Sequence, residues 1–191
     1  MLKKSSGINW PRNQPLFPYS RRYVAIDVET VNSYKDIIEI GCVEIINNQI
    51  GRTMVQRLRP LTNKVNPFCV GVHGITLRDV IREPRFSDFK STLVNFVGAS
   101  PILAHNRPAE YKSLLFEFDQ IGEKMPFDIG SFYCTMKMAQ SLGLSGKLRE
   151  MSEKVGINVA HLAKEHDALS DTKLAAMLFL KLLEMKKRGS I

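Results

Sequence analysis

Tyr23-Val24-Ala25-Ile26-Asp27-Val28-Glu29-Thr30 opens on residues that favour a strand and closes with two carboxylates two positions apart. Side chains alternate across a strand and rise roughly 3.3 Å per residue. Val24, Ile26 and Val28 therefore share one face, and Ala25, Asp27 and Glu29 share the other. The two carboxylates stand about 6–7 Å apart along the strand, at its end. Like charges held this close need a cation or solvent. The pair is expected to seed a divalent-metal site that later segments complete.

The neighbouring segments extend this strand into a sheet. Asp36–Ile46 is rich in Ile and Val and reads as a second strand. Asn47-Asn48 marks a turn, and Ile50–Arg59 reads as a third strand, so the two form a hairpin. Pro60–Pro67 reads as loop. Thr76 is placed to cap a short helix that ends before Pro84. Phe86, Phe89, Leu93, Phe96 and Val97 fall at helical spacing, closed by Gly98. Pro101–Ala104 is a short apolar strand. Pro108 suits the first turn of a helix whose apolar side is Tyr111, Leu114, Leu115 and Phe118, with Gly122 as its stop. Phe127–Cys134 reads as a fifth strand, broken by Gly130. Helices are expected over Thr135–Ser141, Lys147–Val155 and about Ala168–Lys187. A hairpin followed by alternating elements predicts an α/β fold: a mixed five-stranded sheet, antiparallel hairpin plus parallel strands, flanked by helices.

A chain of 191 residues with 44% hydrophobic content fits one domain with a real core. No apolar run approaches the ~20 residues that span a bilayer, and the first residues do not read as a signal peptide. Cys42, Cys69 and Cys134 are odd in number and form no Cys-x-x-Cys pair. They read as reduced thiols, which predicts a cytoplasmic protein with no membrane partner.

The net charge of +8 sits at the ends. Residues 1–22 carry Lys3, Lys4, Arg12, Arg21 and Arg22, and residues 186–191 carry Lys186, Lys187 and Arg188, with no acid in either stretch. The remaining 19 basic residues meet 19 acidic ones. Basic ends suit contact with phosphates, and equally suit plain solubility. Residues 1–22, with Pro11, Pro15 and Pro18, read as an extended arm whose aromatics pack on the body. The expected organisation is an arm over 1–22, one domain over 23–187 and a tail over 188–191.

Three clusters carry chemistry: Asp27-Val28-Glu29; Ala104-His105-Asn106 with Glu110 four residues on; and His166-Asp167-Ala168-Leu169-Ser170-Asp171. Hard divalent cations favour carboxylate oxygens. Four acids could hold two metals ~3.5–4 Å apart, clamping both oxygens of a phosphodiester displacement. A histidine of ordinary pKa could take the proton of the attacking water. Other residues read more plainly. His105 is a structural residue of a strand–helix junction, Asn106 a turn or cap, and Asp167 a solvated acid. His73 either bonds a loop carbonyl or touches a ligand, and Ile75 could equally be core. Phe116, Phe118, Phe127, Phe132, Met136, Met138 and Met151 are core.

Asp-x-Glu on the first strand, Ala-His-Asn before a helix carrying an acid, and the final His-x-Ala-x-x-Asp resemble the three motifs of the DEDDh (DnaQ-like) 3′–5′ exonucleases. That family belongs to the ribonuclease H-like superfamily and includes the proofreading epsilon subunit of bacterial replicative polymerase. His73-Gly74-Ile75-Thr76 matches a fourth element, and the likeness runs from about Tyr23 to Met185. It implies that Asp27, Glu29, Glu110 and Asp171 hold two Mg²⁺ or Mn²⁺ ions and that His166 is the general base. It implies that backbone near Thr30 and the loop from His73 to Ile75 grip a terminal nucleotide, and Asn106 is a further candidate substrate residue. The implied reaction releases nucleoside monophosphates from single-stranded DNA or RNA 3′ ends, with a polymerase or repair complex as partner. The pattern departs at Glu110, where the family has Asp, and at Arg107-Pro108-Ala109 before it. Glu keeps the charge and adds a methylene, so it could hold the second metal directly, hold it through water, or hold it weakly. A weak site would make the chain a nucleic-acid-binding or interaction module of the same fold.

Overall fold

The structure is a computed structural model that describes residues 8–160 and 167–189. Three long strands come first: β1 (Arg22–Asn32), β2 (Lys35–Ile46) and β3 (Gln49–Arg57). Asn47 and Asn48, with φ of 50° and 63°, turn the chain between β2 and β3, as a two-residue hairpin loop requires. Helices α1 (Pro67–His73), α2 (Leu77–Val80) and α3 (Phe86–Val97) precede β4 (Ile102–Ala104) and α4 (Arg107–Gln120). The chain closes with β5 (Phe132–Cys134), α5 (Thr135–Ser141), α6 (Leu148–Lys154) and α7 (Ala168–Arg188).

The sheet runs β3-β2-β1-β4-β5. β1–β2 and β2–β3 pair antiparallel, and β1–β4 and β4–β5 pair parallel. The expected mixed five-stranded sheet is therefore present. Its two faces carry separate cores, split by strand alternation. Val24, Ile26, Ile40 and Cys42 pack with Phe89 and Leu93 of α3 and Leu114 and Phe118 of α4. Tyr23, Ala25, Val43 and Ile45 pack with Met138, Met151 and the α7 residues Leu174, Leu178, Phe179 and Leu182. Burial on both faces explains why β2 is a near-continuous apolar run. It also sends Asp27 and Glu29, in phase with Ala25, to the α7 side.

Three expectations are corrected and one element is added. The loop expected over Pro60–Pro67 is present up to Asn66 and leads into α1, which periodicity did not reveal. Its marks are caps: Asn66 accepts from Phe68 N, Pro67 stands in the first turn, and Gly74 closes the helix at φ 78°. Leu115 lies on the solvent side of α4, 36% exposed. The strand expected over Phe127–Cys134 is a 3₁₀ turn over Ile129–Ser131 followed by the three-residue β5. In the arm, Trp10 and Phe17 do pack on the body, whereas Tyr19 is fully exposed.

Candidate active site

β1 positions Asp27 opposite Gly41 of β2, and Glu29 opposite Glu39. The start of α7 is fastened over the same spot. Glu39 Oε2 accepts from Ala168 N at 3.2 Å, while its Oε1 meets Arg57 Nε at 2.9 Å. Thr172 Oγ1 donates to Gly41 O at 3.2 Å. Asp167, expected to be solvated, instead caps the helix: its Oδ1 accepts from Ser170 N at 2.8 Å. One turn in, Asp171 reaches the strand pair. Carboxylate oxygens of Asp27, Glu29 and Asp171 all lie within 4.8 Å of one another.

Burial and crowding push these acids in one direction. Asp27 is held well above the usual carboxylate range, first by desolvation and then by the charges of Asp171, Glu39 and Asp167. Glu29 is raised to about 9 by burial, then by Asp27 and Asp171. Sites where burial and like charges combine in this way are those that perform chemistry or bind cations. The linkage has a definite sign. Below the ordinary glutamate value of 4.5, both the folded and unfolded chains hold the proton. Between there and about 9, the folded chain keeps a proton that the unfolded chain gives up. Metal-free stability therefore falls as pH rises through that window. Thermal melts in chelator are expected to show this fall, and excess Mg²⁺ to reverse it by binding only the folded state. A melting temperature in chelator that rises towards pH 9 would contradict the crowding.

Glu110, in the first turns of α4, is not one of the three converging acids. It is 5% exposed and lines the same cavity of about 360 Å³ as Asp27 and Asp171. Burial, then Asp27 and Glu29, raise its pKa well above normal. Its Oε2 is buried and finds no hydrogen-bond partner among the described residues. An orphaned carboxylate oxygen beside three crowded acids, all oxygen donors, suits a hard divalent cation. A larger groove of about 880 Å³ beside α1 and α2 has no carboxylate in its lining.

The other expected site residues scatter. His73 Nδ1 accepts from Ile75 N at 3.0 Å and its Nε2 lies 3.3 Å from Thr30 O, so the ring ties its loop to β1. Ile75 is 3% exposed and packs with Val31, Ile38 and Val80. Its side chain is core. Thr30 is half-buried, and Asn106 is exposed at the cavity, where it makes no side-chain cap bond. His166 lies outside the described residues.

The sequence model of the exonuclease family matches residues 24–179. This chain belongs to the exonuclease family. Among curated relatives of this chain is the DNA polymerase III epsilon subunit of Pasteurella multocida, 28% identical over 89% of this chain and 69% of that one. The PolC-type polymerase III of Thermotoga maritima is 29% identical over 88% of this chain and 12% of its own length. Among solved structures, exonuclease X in complex with 5′-overhanging duplex DNA superposes with a TM-score of 0.71 at 25% identity, covering 86% of this chain and 93% of that one. The DEDDh nuclease domain of 3′hExo bound to rAMP gives a TM-score of 0.72 at 22% identity, covering 87% and 93%. The chain is a DnaQ-like family member, with the ribonuclease H-like fold expected from its motifs.

Other residues of the cavity had no signal in sequence. Lys147, Leu148 and Arg149, around the start of α6, line it together with Met136 and His105. Met136 is thus a cavity residue as well as a packing one. His105 Nδ1 sits 3.1 Å from Thr135 Oγ1, and burial lowers its pKa to about 4, so the ring is neutral. Leu148 at helical spacing reads as ordinary packing, and only the fold shows that its turn faces the acids.

Proposed function

We propose that this chain is a metal-dependent 3′–5′ exonuclease that hydrolyses the terminal phosphodiester of single-stranded DNA or RNA and releases nucleoside monophosphates. The observation that carries the reading is the convergence of Asp27, Glu29 and Asp171 within 4.8 Å. Those three and Glu110 would hold Mg²⁺ or Mn²⁺, as two ions. Bound there, the cations supply charge stabilisation for the phosphodiester and a more acidic water. The chain's own groups do the rest. The carboxylates fix the position of the site because β1 and α7 are rigid elements clamped at Gly41 and Glu39. Lys147, exposed at the cavity, offers an ammonium to a backbone phosphate. Met136 and Leu148 offer apolar surface to a sugar or base. His166, next to the cap of α7 in sequence, takes the proton of the attacking water.

The DNA polymerase III epsilon subunits among the relatives support action beside a polymerase; a repair complex as partner and a cytoplasmic location belong to the proposal. Among the described residues no helix is long and apolar enough to cross a membrane. The test is release of mononucleotides from a 3′-labelled oligonucleotide with Mg²⁺ or Mn²⁺, with a 5′-labelled copy to read polarity. Activity that is unaffected by chelator, or that survives His166→Ala at full rate, would sink the mechanism.

A second reading, a weakened nucleic-acid-binding or interaction module, draws on one observation: Glu110 stands outside the tight trio. Glu110→Asp separates the two. In a working enzyme, shortening the side chain withdraws the carboxylate by about an ångström and lowers kcat by up to ~10²-fold. A gain of that size would show that Glu impairs the native site.

A further inference from the structure

We infer that the N-terminal arm is a brace that positions the first turn of α4, and Glu110 with it, at the cavity. The inference rests on the proposed role of Glu110 as a cation ligand only for its effect on metal binding. The contacts themselves are explicit. Trp10 presents its ring face to the Arg107 guanidinium at 3.9 Å and meets the Tyr111 ring edge-on at 5.5 Å. Arg107 and Tyr111 are four apart, so they stack on one side of α4. Glu110 is the residue before Tyr111, about 100° round the helix, and looks into the cavity. Tyr111 in turn packs edge-on against Phe132 of β5 at 5.2 Å.

Gln14 completes the clasp. Its Nε2 donates to Gly130 O at 2.8 Å and to Phe132 O at 2.9 Å. Its Oε1 accepts from Arg107 Nη1 at 2.7 Å, and the same nitrogen reaches Phe132 O at 3.1 Å. The arm thus ties α4 to the outer strand of the sheet.

The tie falls where the start of α4 has no side chain of its own to hold it. Asn106 makes no side-chain cap bond there, so the turn lacks the usual local fastening. Trp10 and Gln14 supply it from outside the helix. They are positioning residues.

The test uses the full chain with Trp10→Ala, Trp10→Phe and Gln14→Ala. Mn²⁺ binding is read by calorimetry without nucleic acid, and hydrogen exchange is read in the metal-free protein. Trp10→Ala is expected to weaken Mn²⁺ binding by roughly 10-fold, the low end for a group that orients a ligand, with Trp10→Phe recovering most of it. Exchange is expected to rise over residues 107–118 and to stay unchanged over 167–188. In a Glu110→Gln background, Trp10→Ala is expected to change Mn²⁺ binding little. Equal losses with and without Glu110, or exchange rising alike in α4 and α7, would overturn the brace. A wild type that binds no Mn²⁺ would defeat the exonuclease reading, and exchange over 107–118 would still decide the brace.

Discussion

Asp27→Asn is expected to end phosphodiester hydrolysis while raising the melting temperature of the metal-free protein. The substitution keeps the shape of the side chain and removes one charge. Asp27 is the acid that Asp171, Glu39 and Asp167 all crowd, and burial already opposes its ionisation. Taking away its charge relieves both costs in the empty site. The same change removes an oxygen donor from the trio that lies within 4.8 Å. A metal site contributes several kcal/mol to stabilising a phosphoryl transition state, and about 4 kcal/mol corresponds to ~10³-fold in rate. A loss of roughly that size or more in mononucleotide release is the expected result. The two readouts check each other. A dead variant that melts lower than wild type has simply lost its fold. A variant that keeps its rate shows that the trio is not the site. Opposed changes in activity and stability are the signature of a functional site that strains the fold.

Gly41→Ala is expected to cost both stability and rate, and to do so through Asp171. A methyl at Gly41 would stand 2.5 Å from the Ala168 carbonyl carbon and 2.8 Å from Leu169 N. Both partners are backbone, so no rotamer change relieves the clash. Either β2 bows or the first turn of α7 lifts. Overpacking of this kind typically costs about 1–3 kcal/mol. The lift also carries Asp171, three residues into that turn, away from Asp27, and displacement near 1 Å can cost ~10²-fold in rate. Thermal melts and oligonucleotide digestion measure the pair of effects. If the variant melts lower yet digests at the wild-type rate, α7 does not set the position of Asp171.

These two positions show how differently sequence and structure speak. Asp27 declares itself: strand alternation alone puts it beside Glu29, and two like charges at a strand end demand an explanation. Gly41 lies in an apolar strand and says nothing until α7 is laid across it. Strand and helix signals are local, with periods of two and 3.6 residues. That is why β1, β2, α3, α5 and α7 stand close to where the sequence put them. Helix α1 escaped because it is short and none of its residues is buried, so it has no apolar stripe to read. Its caps were the available signal. Leu115 was misplaced because a run of two leucines and a phenylalanine leaves the buried face undecided until a sheet is present.

The sequence by itself determined the mixed sheet and the Asp27–Glu29 pair, because each follows from spacing between near neighbours. It also supplied the motif order by which the exonuclease family is recognised. Only the tertiary structure decided which groups meet. Asp171 joins Asp27 because α7 packs on β2 at Gly41, and Ile75 is core because its loop folds under β1. Glu110 stands apart from the trio yet lines the same cavity as Asp27 and Asp171, and Trp10 and Gln14 hold its helix through Arg107 and Tyr111. Those contacts join residues tens to more than a hundred positions apart in the chain. Their geometry is set by packing, which no local period records.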